Sequence, residues 1–236
     1  MVSTVIKNWD NETWLSSQKY ISSFNKFIIN NINFNTNYKI LDVGCGRGKI
    51  LGSLSSKLKL KYKPIGIDIV NHRDRDRRIK FKKMNALTFI SKNKKKFDLI
   101  LIKQTIHLLN LKDIEKLLRL LKKNLNSKGE ILIFSLDTSK NEIPTFKLMK
   151  KKLSESLKRD KRILKIIDKF NPKRVKKKFS FKVKIAKKDY LRMIQKKYIS
   201  TLLYFSNKQI KEGMDEIDSK YKNILNFKDK LICIKL

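Results

Sequence analysis

The sequence predicts an α/β fold, a largely parallel sheet with helices on both faces. Three observations predict it. Short apolar runs recur, at 38–43, 64–70 and 97–102. Segments with apolar residues at helical spacing alternate with them. The first run empties into Gly44, Gly46 and Gly48, in a chain that has only 7 Gly. Repeated β-α units with wholly apolar strands imply parallel pairing and burial on both sides.

The elements follow in order. Trp14, Ile21, Phe24 and Ile28 recur at helical spacing over 13–29, and the polar stretch Asn30 to Asn37 ends that helix. Tyr38 to Val43 is a buried strand. Leu51, Leu54 and Leu58 make one face of the helix after it. Pro64 to Val70 is a second strand, carrying Asp68. Asn71 to Arg78 is too polar and short for a helix. Ile79 to Met84 is a third strand, and 86–91 a short helix or turn. Phe97 to Ile102 is the fourth strand. Ile114, Leu117, Leu118 and Leu121 sit at i, i+3, i+4 and i+7, behind Asn110 as N-cap. Ile131 to Phe134 is the fifth strand. After Pro144 comes a long basic amphipathic helix or helix pair, 146–170. Phe179, Phe181, Val183 and Ile185 alternate with polar residues, the mark of a strand exposed on one face. Helices over 187–204 and 207–220 precede a closing strand, 231–236.

Length and composition set limits. A chain of 236 residues, 41% hydrophobic, reads as one generous domain, or one domain with an appended lid, with a sizeable core. No apolar run reaches the roughly 18 residues that cross a bilayer. Met1 to Asp10 lacks the apolar core of a secretory signal. Cys45 and Cys233 are too few for a disulfide framework or a four-cysteine metal site, and suit a reducing, cytoplasmic setting.

The charge is extreme: 58 Lys and Arg against 21 acids, a net +37. One reading is a polyanionic partner, nucleic acid or an acidic membrane. The other is compositional drift, because 48 Lys stand against 10 Arg, with 30 Ile and 19 Asn. A phosphate-reading surface would recruit more Arg, whose planar fork binds phosphate bidentately. The lysine runs at 94–96, 150–152 and 176–178 read as solvated faces.

In parallel sheets the ligand sits beyond the carboxyl ends of the strands, near the switch point. That directs attention to Asp42-Val43-Gly44-Cys45-Gly46-Arg47-Gly48. Glycines there allow a sharp turn and close approach of a ligand to the backbone, and the next helix aims its first amides at the same place. The spacing is not that of a dinucleotide fingerprint or a phosphate loop. Asp42 suits an ammonium or a water better than a pyrophosphate.

This turn resembles motif I of the class I S-adenosylmethionine-dependent methyltransferases, small-molecule branch, and the resemblance runs over most of the chain. Asp68, at the end of the second strand and followed by Ile69, matches the family's ribose-binding acid. Asn85-Ala86 matches the adenine-binding position, usually Asp-Ala in the family. The segments 97–107 and 125–133 resemble its later motifs. The resemblance implies a Rossmann-like class I methyltransferase fold. Its seven-stranded sheet is mostly parallel, with the last strand antiparallel. It implies a helical N-terminal cap over 1–36, a methyltransferase domain over 37–236 and a helical lid inserted at about 187–228. It implies S-adenosylmethionine as cofactor, S-adenosylhomocysteine as product, and no metal. It assigns cofactor contacts to Asp42, Gly44, Cys45, Gly46, Gly48, Asp68, Ile69, Asn85, Ala86 and Lys103, with Tyr20 closing the pocket.

Several branches are excluded by the motifs they require. The Pro-Pro pair of the DNA amino-methylases is missing after the fourth strand, where Lys103-Gln104-Thr105-Ile106 stand. The carboxylate sets of 2′-hydroxyl methylases and metal-dependent catechol enzymes are missing too, and neither Cys is placed as a nucleophile. Gln104 and His107 occupy the position the family aims at the methyl group. His107 is open to three readings: general base, substrate contact, or a packed loop residue. His72 reads as solvent-exposed. The resemblance of 190–213 to the family's lid makes Arg192, Tyr198, Ser200 and Tyr204 acceptor-side candidates, Arg192 as a fork for a carboxylate; Trp14, an N-terminal aromatic that with Tyr20 closes the pocket from the other side, is counted with them. The expected partner is a small-molecule acceptor, for which an anionic group fits. An RNA methyltransferase using the lysine surface is the alternative. The protein is expected to be a monomer or homodimer without a membrane.

Overall fold

The computed structural model describes residues 13–137 and 139–236. Trp9, the first part of the expected N-terminal cap and the segment read for a secretory signal lie outside the described residues. The seven strands form one sheet in the order β3-β2-β1-β4-β5-β7-β6. They are β1 (Ile40–Val43), β2 (Ile65–Asp68), β3 (Lys80–Lys83), β4 (Phe97–Lys103), β5 (Leu125–Leu136), β6 (Val175–Ala186) and β7 (Ile224–Lys235). β1 pairs in parallel with β2 and β4, β2 with β3, and β4 with β5. β7 lies antiparallel to β5, with Phe134 opposite Cys233. The expected topology is therefore present. The order reverses at β1, between β2 and β4, and that is the switch point.

Contacts divide the chain into two compact units. The larger holds Ile21–Leu136, Asp160–Phe179 and Leu231–Leu236. Its β1 and β4 are apolar and buried along almost their whole length, because helices cover both sides. Leu41, Val43, Ile100, Ile102, Ile131 and Ile133 point one way. They meet Phe89 and Ile90 of α3 (Ala86–Lys92), the stripe Ile114, Leu117, Leu118 and Leu121 of α4 (Leu111–Lys123), and Ile163 and Ile167 of α5 (Lys147–Phe170). Alternation sends Leu99, Leu101 and Phe134 the other way. There α1 (Gln18–Ile29) contributes Phe24, whose ring is 4.6 Å from that of Phe134. α2 (Lys49–Lys57) buries Leu51 and Leu54.

Of the described residues, the smaller unit holds those from Thr13 to Tyr20, Asp137–Arg159 and Ser180–Lys230. α6 (Lys187–Gln195) and α7 (Asn207–Lys220) lie in the segment expected to form a lid. α7 starts in a capping box between Ser206 and Gln209. The helix expected over 187–204 is not continuous. It stops at Gln195, Lys197 takes φ 52°, and a short 3₁₀ turn spans Ser200–Tyr204. The break lets Tyr198 turn inward, where it is completely buried and its hydroxyl lies 3.1 Å from that of Tyr190.

Candidate functional site

The glycine turn is built from its backbone. Gly44, Gly46 and Gly48 have φ of 74°, 54° and 71°, a region that L side chains rarely adopt. The Gly44 and Cys45 amides both donate to the Ile67 carbonyl, at 2.9 and 3.0 Å, fastening the turn to β2. A Cβ at Gly44 would lie 2.1 Å from Thr105 Oγ1, and one at Gly48 2.2 Å from Ile79 Cδ1. A Cβ at Gly46 would meet nothing within 4 Å. The outer two glycines are thus closed by protein, and the middle one presents bare backbone to open space. That is the cradle a cofactor needs.

Asp68 stands beside it. Its Oδ2 accepts the Gly46 amide at 2.8 Å and its Oδ1 the Val70 amide at 2.9 Å. Each carboxylate oxygen has a further lone pair for a hydroxyl. Ile69, next in sequence, is 58% exposed, an uncovered apolar surface beside a polar anchor. Asn85 Oδ1 caps α3 by accepting from Leu87 and Thr88, and Ala86 is half-buried behind it. Cys45 is a free thiol whose pKa burial pushes up, with Asp42 and Asp68 adding to the shift. That shift works against a thiolate at this position.

Asp42 is buried, and burial pushes its carboxyl up to about 7, against the pull of the Lys103 ammonium. Lys103 also lies 5.5 Å over the Phe24 ring and 3.4 Å from Gln104 Oε1. Gln104 follows β4 with φ 51°, strained for a residue with a Cβ. Its amide donates to the Phe134 carbonyl at 2.8 Å, which holds that turn. His107 is half-buried in the 3₁₀ turn Ile106–Leu108. So the structure brings Asp42, the three glycines, Cys45, Asp68, Lys103 and Gln104 to the carboxyl ends of β1, β2 and β4, with His107 on the turn that follows.

Four residues of this region, Thr105, Arg47, Asp74 and Asp76, are not singled out as site candidates by the sequence. Thr105 closes over Gly44. Arg47 is buried and donates Nη1 to Asp74 at 2.7 Å. The Asp76 amide donates to the Arg47 carbonyl at 2.9 Å. These bonds draw the loop after β2 against the turn. They also correct the expectation for His72, which is buried at 4% exposure instead of solvated. The alternating Arg and Asp of 73–78 was the available signal.

The other candidates lie in the smaller unit. Trp14 donates Nε1 to Asp229 at 3.0 Å, and its ring packs 5.1 Å from Tyr198 and 5.3 Å from Phe227. Tyr20 is fully buried, with its ring 5.1 Å from Phe181. Burial, then the Asp229 charge, pushes its hydroxyl well above the usual range. A cavity of about 540 Å³ has Trp14, Tyr198 and Arg192 in its wall, with Lys182, Lys184 and Lys196 around them. Arg192 lies 3.4 Å from Asp189. Ser200 and Tyr204 lie outside this wall. Tyr204 is 59% exposed, under the Lys152 ammonium at 4.5 Å. Among the described residues, no cluster of His, Cys, Asp or Glu could hold a metal ion, and no helix is long and apolar enough to cross a membrane.

Comparison with known proteins agrees with this geometry. No curated protein sequence matches the chain. Solved structures with the same fold include a methyltransferase from an antibiotic biosynthesis pathway of Anabaena variabilis. It is 16% identical, with TM-score 0.67, over 93% of this chain and 100% of that one. An S-adenosylmethionine-dependent methyltransferase from Archaeoglobus fulgidus is 17% identical, with TM-score 0.55, over 93% and 95%. The plantazolicin methyltransferase BpumL, solved with a monoazolic desmethylPZN analogue and SAH, is 20% identical, with TM-score 0.50, over 95% and 87%. The family described as "Methyltransferase domain" matches residues 34–207. With a match over well more than half of its length and a sheet in this order, the chain belongs to the class I S-adenosylmethionine-dependent methyltransferases.

Proposed function

We propose that this enzyme transfers the methyl group of S-adenosylmethionine to a small-molecule acceptor by in-line displacement. The observation that carries the donor side is the pairing of Gly46 and Asp68: open space over a bare backbone, with a carboxylate held against it. In this reading Asp68 accepts the ribose hydroxyls and Ile69 covers one adenine face. The Asn85 amide and Ala86 meet the adenine edge. Asp42 and Lys103 govern the charged amino-acid end. Bound there, S-adenosylmethionine supplies a methyl group already activated by the sulfonium charge. The chain's remaining tasks are alignment and exclusion of water. Gln104 orients the acceptor, and His107 takes the proton when the attacking atom carries one.

The acceptor is proposed to be anionic. The cavity around Trp14, Arg192 and Tyr198 supports this, because Lys19, Lys182, Lys184 and Lys196 rim it against the single carboxylate of Asp189. Tyr198 acts there as a wall, since its hydroxyl is engaged by Tyr190. Solved structures of this fold that are named for antibiotic biosynthesis and for plantazolicin support a small-molecule acceptor. The free thiols Cys45 and Cys233 fit the cytoplasm.

The test is calorimetric titration with S-adenosylhomocysteine, then an acceptor screen by methyl transfer, at low and high salt. Saturable binding with turnover of an anionic metabolite is the expected result. No cofactor binding would overturn the donor site. Turnover confined to RNA would overturn the small-molecule acceptor.

A further inference from the structure

Arginine is scarce in this chain, 10 against 48 Lys, yet four of the ten fall within six residues: Arg73, Arg75, Arg77 and Arg78. Drift toward lysine does not produce such a cluster. The loop that carries them joins β2 to β3, within the larger unit. Two aspartates share it, and each is already committed. Asp74 accepts Nη1 of Arg47 at 2.7 Å. Asp76 is buried and takes Arg78 at two atoms, 2.8 and 2.6 Å. Burial would raise the Asp76 carboxyl, but the hydrogen bonds from Arg78 outweigh it and hold it below the usual range. The aspartates therefore fix the loop's shape and use up Arg47 and Arg78.

Arg73, Arg75 and Arg77 are left over. All three are exposed, and all three line one cavity of about 330 Å³ with Asp76, Ile79 and Phe81. Arg75 is held in place, donating to Asn71 Oδ1 at 2.6 Å and lying 4.7 Å over the Phe81 ring. Guanidinium forks match the oxygens of a phosphoryl group two at a time, and lysine ammonium groups do not. Ile79 and Phe81 add an apolar wall on which the organic part of an ester can rest.

We propose that Arg73, Arg75 and Arg77 form a phosphoryl-binding site for a phosphate ester on the loop after β2, beside the glycine turn, whose Gly48 packs on the same Ile79. The same chemistry is offered by a small phosphate ester and by the backbone of single-stranded RNA.

The test uses the full chain and two probes, inorganic pyrophosphate and a single-stranded RNA dodecamer, titrated across a salt series. Three proteins are compared. They are the native chain, an R73Q/R75Q/R77Q variant, and a K94Q/K95Q/K128Q variant that loses equal charge from exposed lysines. The expected result is saturable pyrophosphate binding, weakened about tenfold or more in the arginine variant and within about twofold of native in the lysine variant. RNA binding whose salt slope drops by about two only in the arginine variant supports the site and assigns it to the backbone. RNA binding that is equal in the two variants assigns it to small esters. Equal weakening of pyrophosphate in both variants, or no saturable pyrophosphate binding to the native chain, overturns the proposal. S-adenosylhomocysteine affinity is measured alongside, and it stays native in the arginine variant, so failure here and failure of the donor site read differently. R77Q alone, at a side chain with no partner among the described residues, weakens pyrophosphate several-fold without disturbing the loop.

Discussion

The Asp68 carboxylate accepts the Gly46 amide at 2.8 Å. The residue proposed to hold the ribose thus also holds the glycine turn in place. D68A removes both functions at once. A hydrogen bond to a charged group is worth about 1.5–3 kcal/mol, so S-adenosylhomocysteine affinity falls about 10- to 100-fold by calorimetry. D68N keeps an acceptor for the Gly46 amide and loses less.

The glycines separate stability from binding. G44A drives a Cβ to 2.1 Å from Thr105 Oγ1, at a φ that already disfavours it, and so lowers the unfolding midpoint by several degrees. G46A meets no atom, so its cost is the left-handed backbone alone, about 1–2 kcal/mol. Its larger effect is on cofactor affinity, because the new methyl fills the open cradle. Thermal melts and calorimetry on the pair check this ordering.

Gln104 stores strain at φ 51°. Glycine adopts that φ freely, although it also loosens the unfolded chain. Q104G leaves the midpoint unchanged or slightly raised and lowers kcat. A fall in stability with native kcat would remove Gln104 from the reaction.

Asp42 gives a pH signature. Its ordinary pKa of 3.8 is raised to about 7 in the folded protein, so the folded state binds the proton more tightly. Between these values stability declines as pH rises, and above about 7 both states are ionised and the effect is flat. D42N removes this slope, and urea unfolding at pH 5, 6, 7 and 8 compares the two proteins.

On the acceptor side, R192A raises KM for an anionic acceptor about tenfold and leaves kcat near native. That is the pattern of lost binding rather than lost chemistry. Steady-state kinetics with the acceptor found by screening checks it.

The glycine turn was legible in the sequence because its cause is local. Glycines crowded between a strand and a helix serve a sharp turn and little else, whereas Asp68, at the end of β2, was singled out only by the family resemblance. The β1, β2 and β4 runs were equally plain, being buried on both faces. What escaped depends on distant partners. β5 begins at Leu125, where polar residues read as a turn, because Leu125 pairs with Phe97 across a register shift. The break at Lys197 has no Gly or Pro to announce it and follows from the burial of Tyr198 against Tyr190. The loop after β2 looked solvated because its composition is polar. Only the pairs Arg47–Asp74 and Arg78–Asp76 reveal that it is folded down and that His72 goes inside.

The chain passes from one compact unit to the other five times, at Tyr20/Ile21, Leu136/Asp137, Arg159/Asp160, Phe179/Ser180 and Lys230/Leu231. Neither unit is a contiguous stretch of gene. A recombination event with one breakpoint cannot exchange the smaller unit for that of a relative, because three separate segments would have to arrive together. Changes to the proposed acceptor wall around Trp14 and Arg192 therefore arise by substitution within it and not by shuffling of modules.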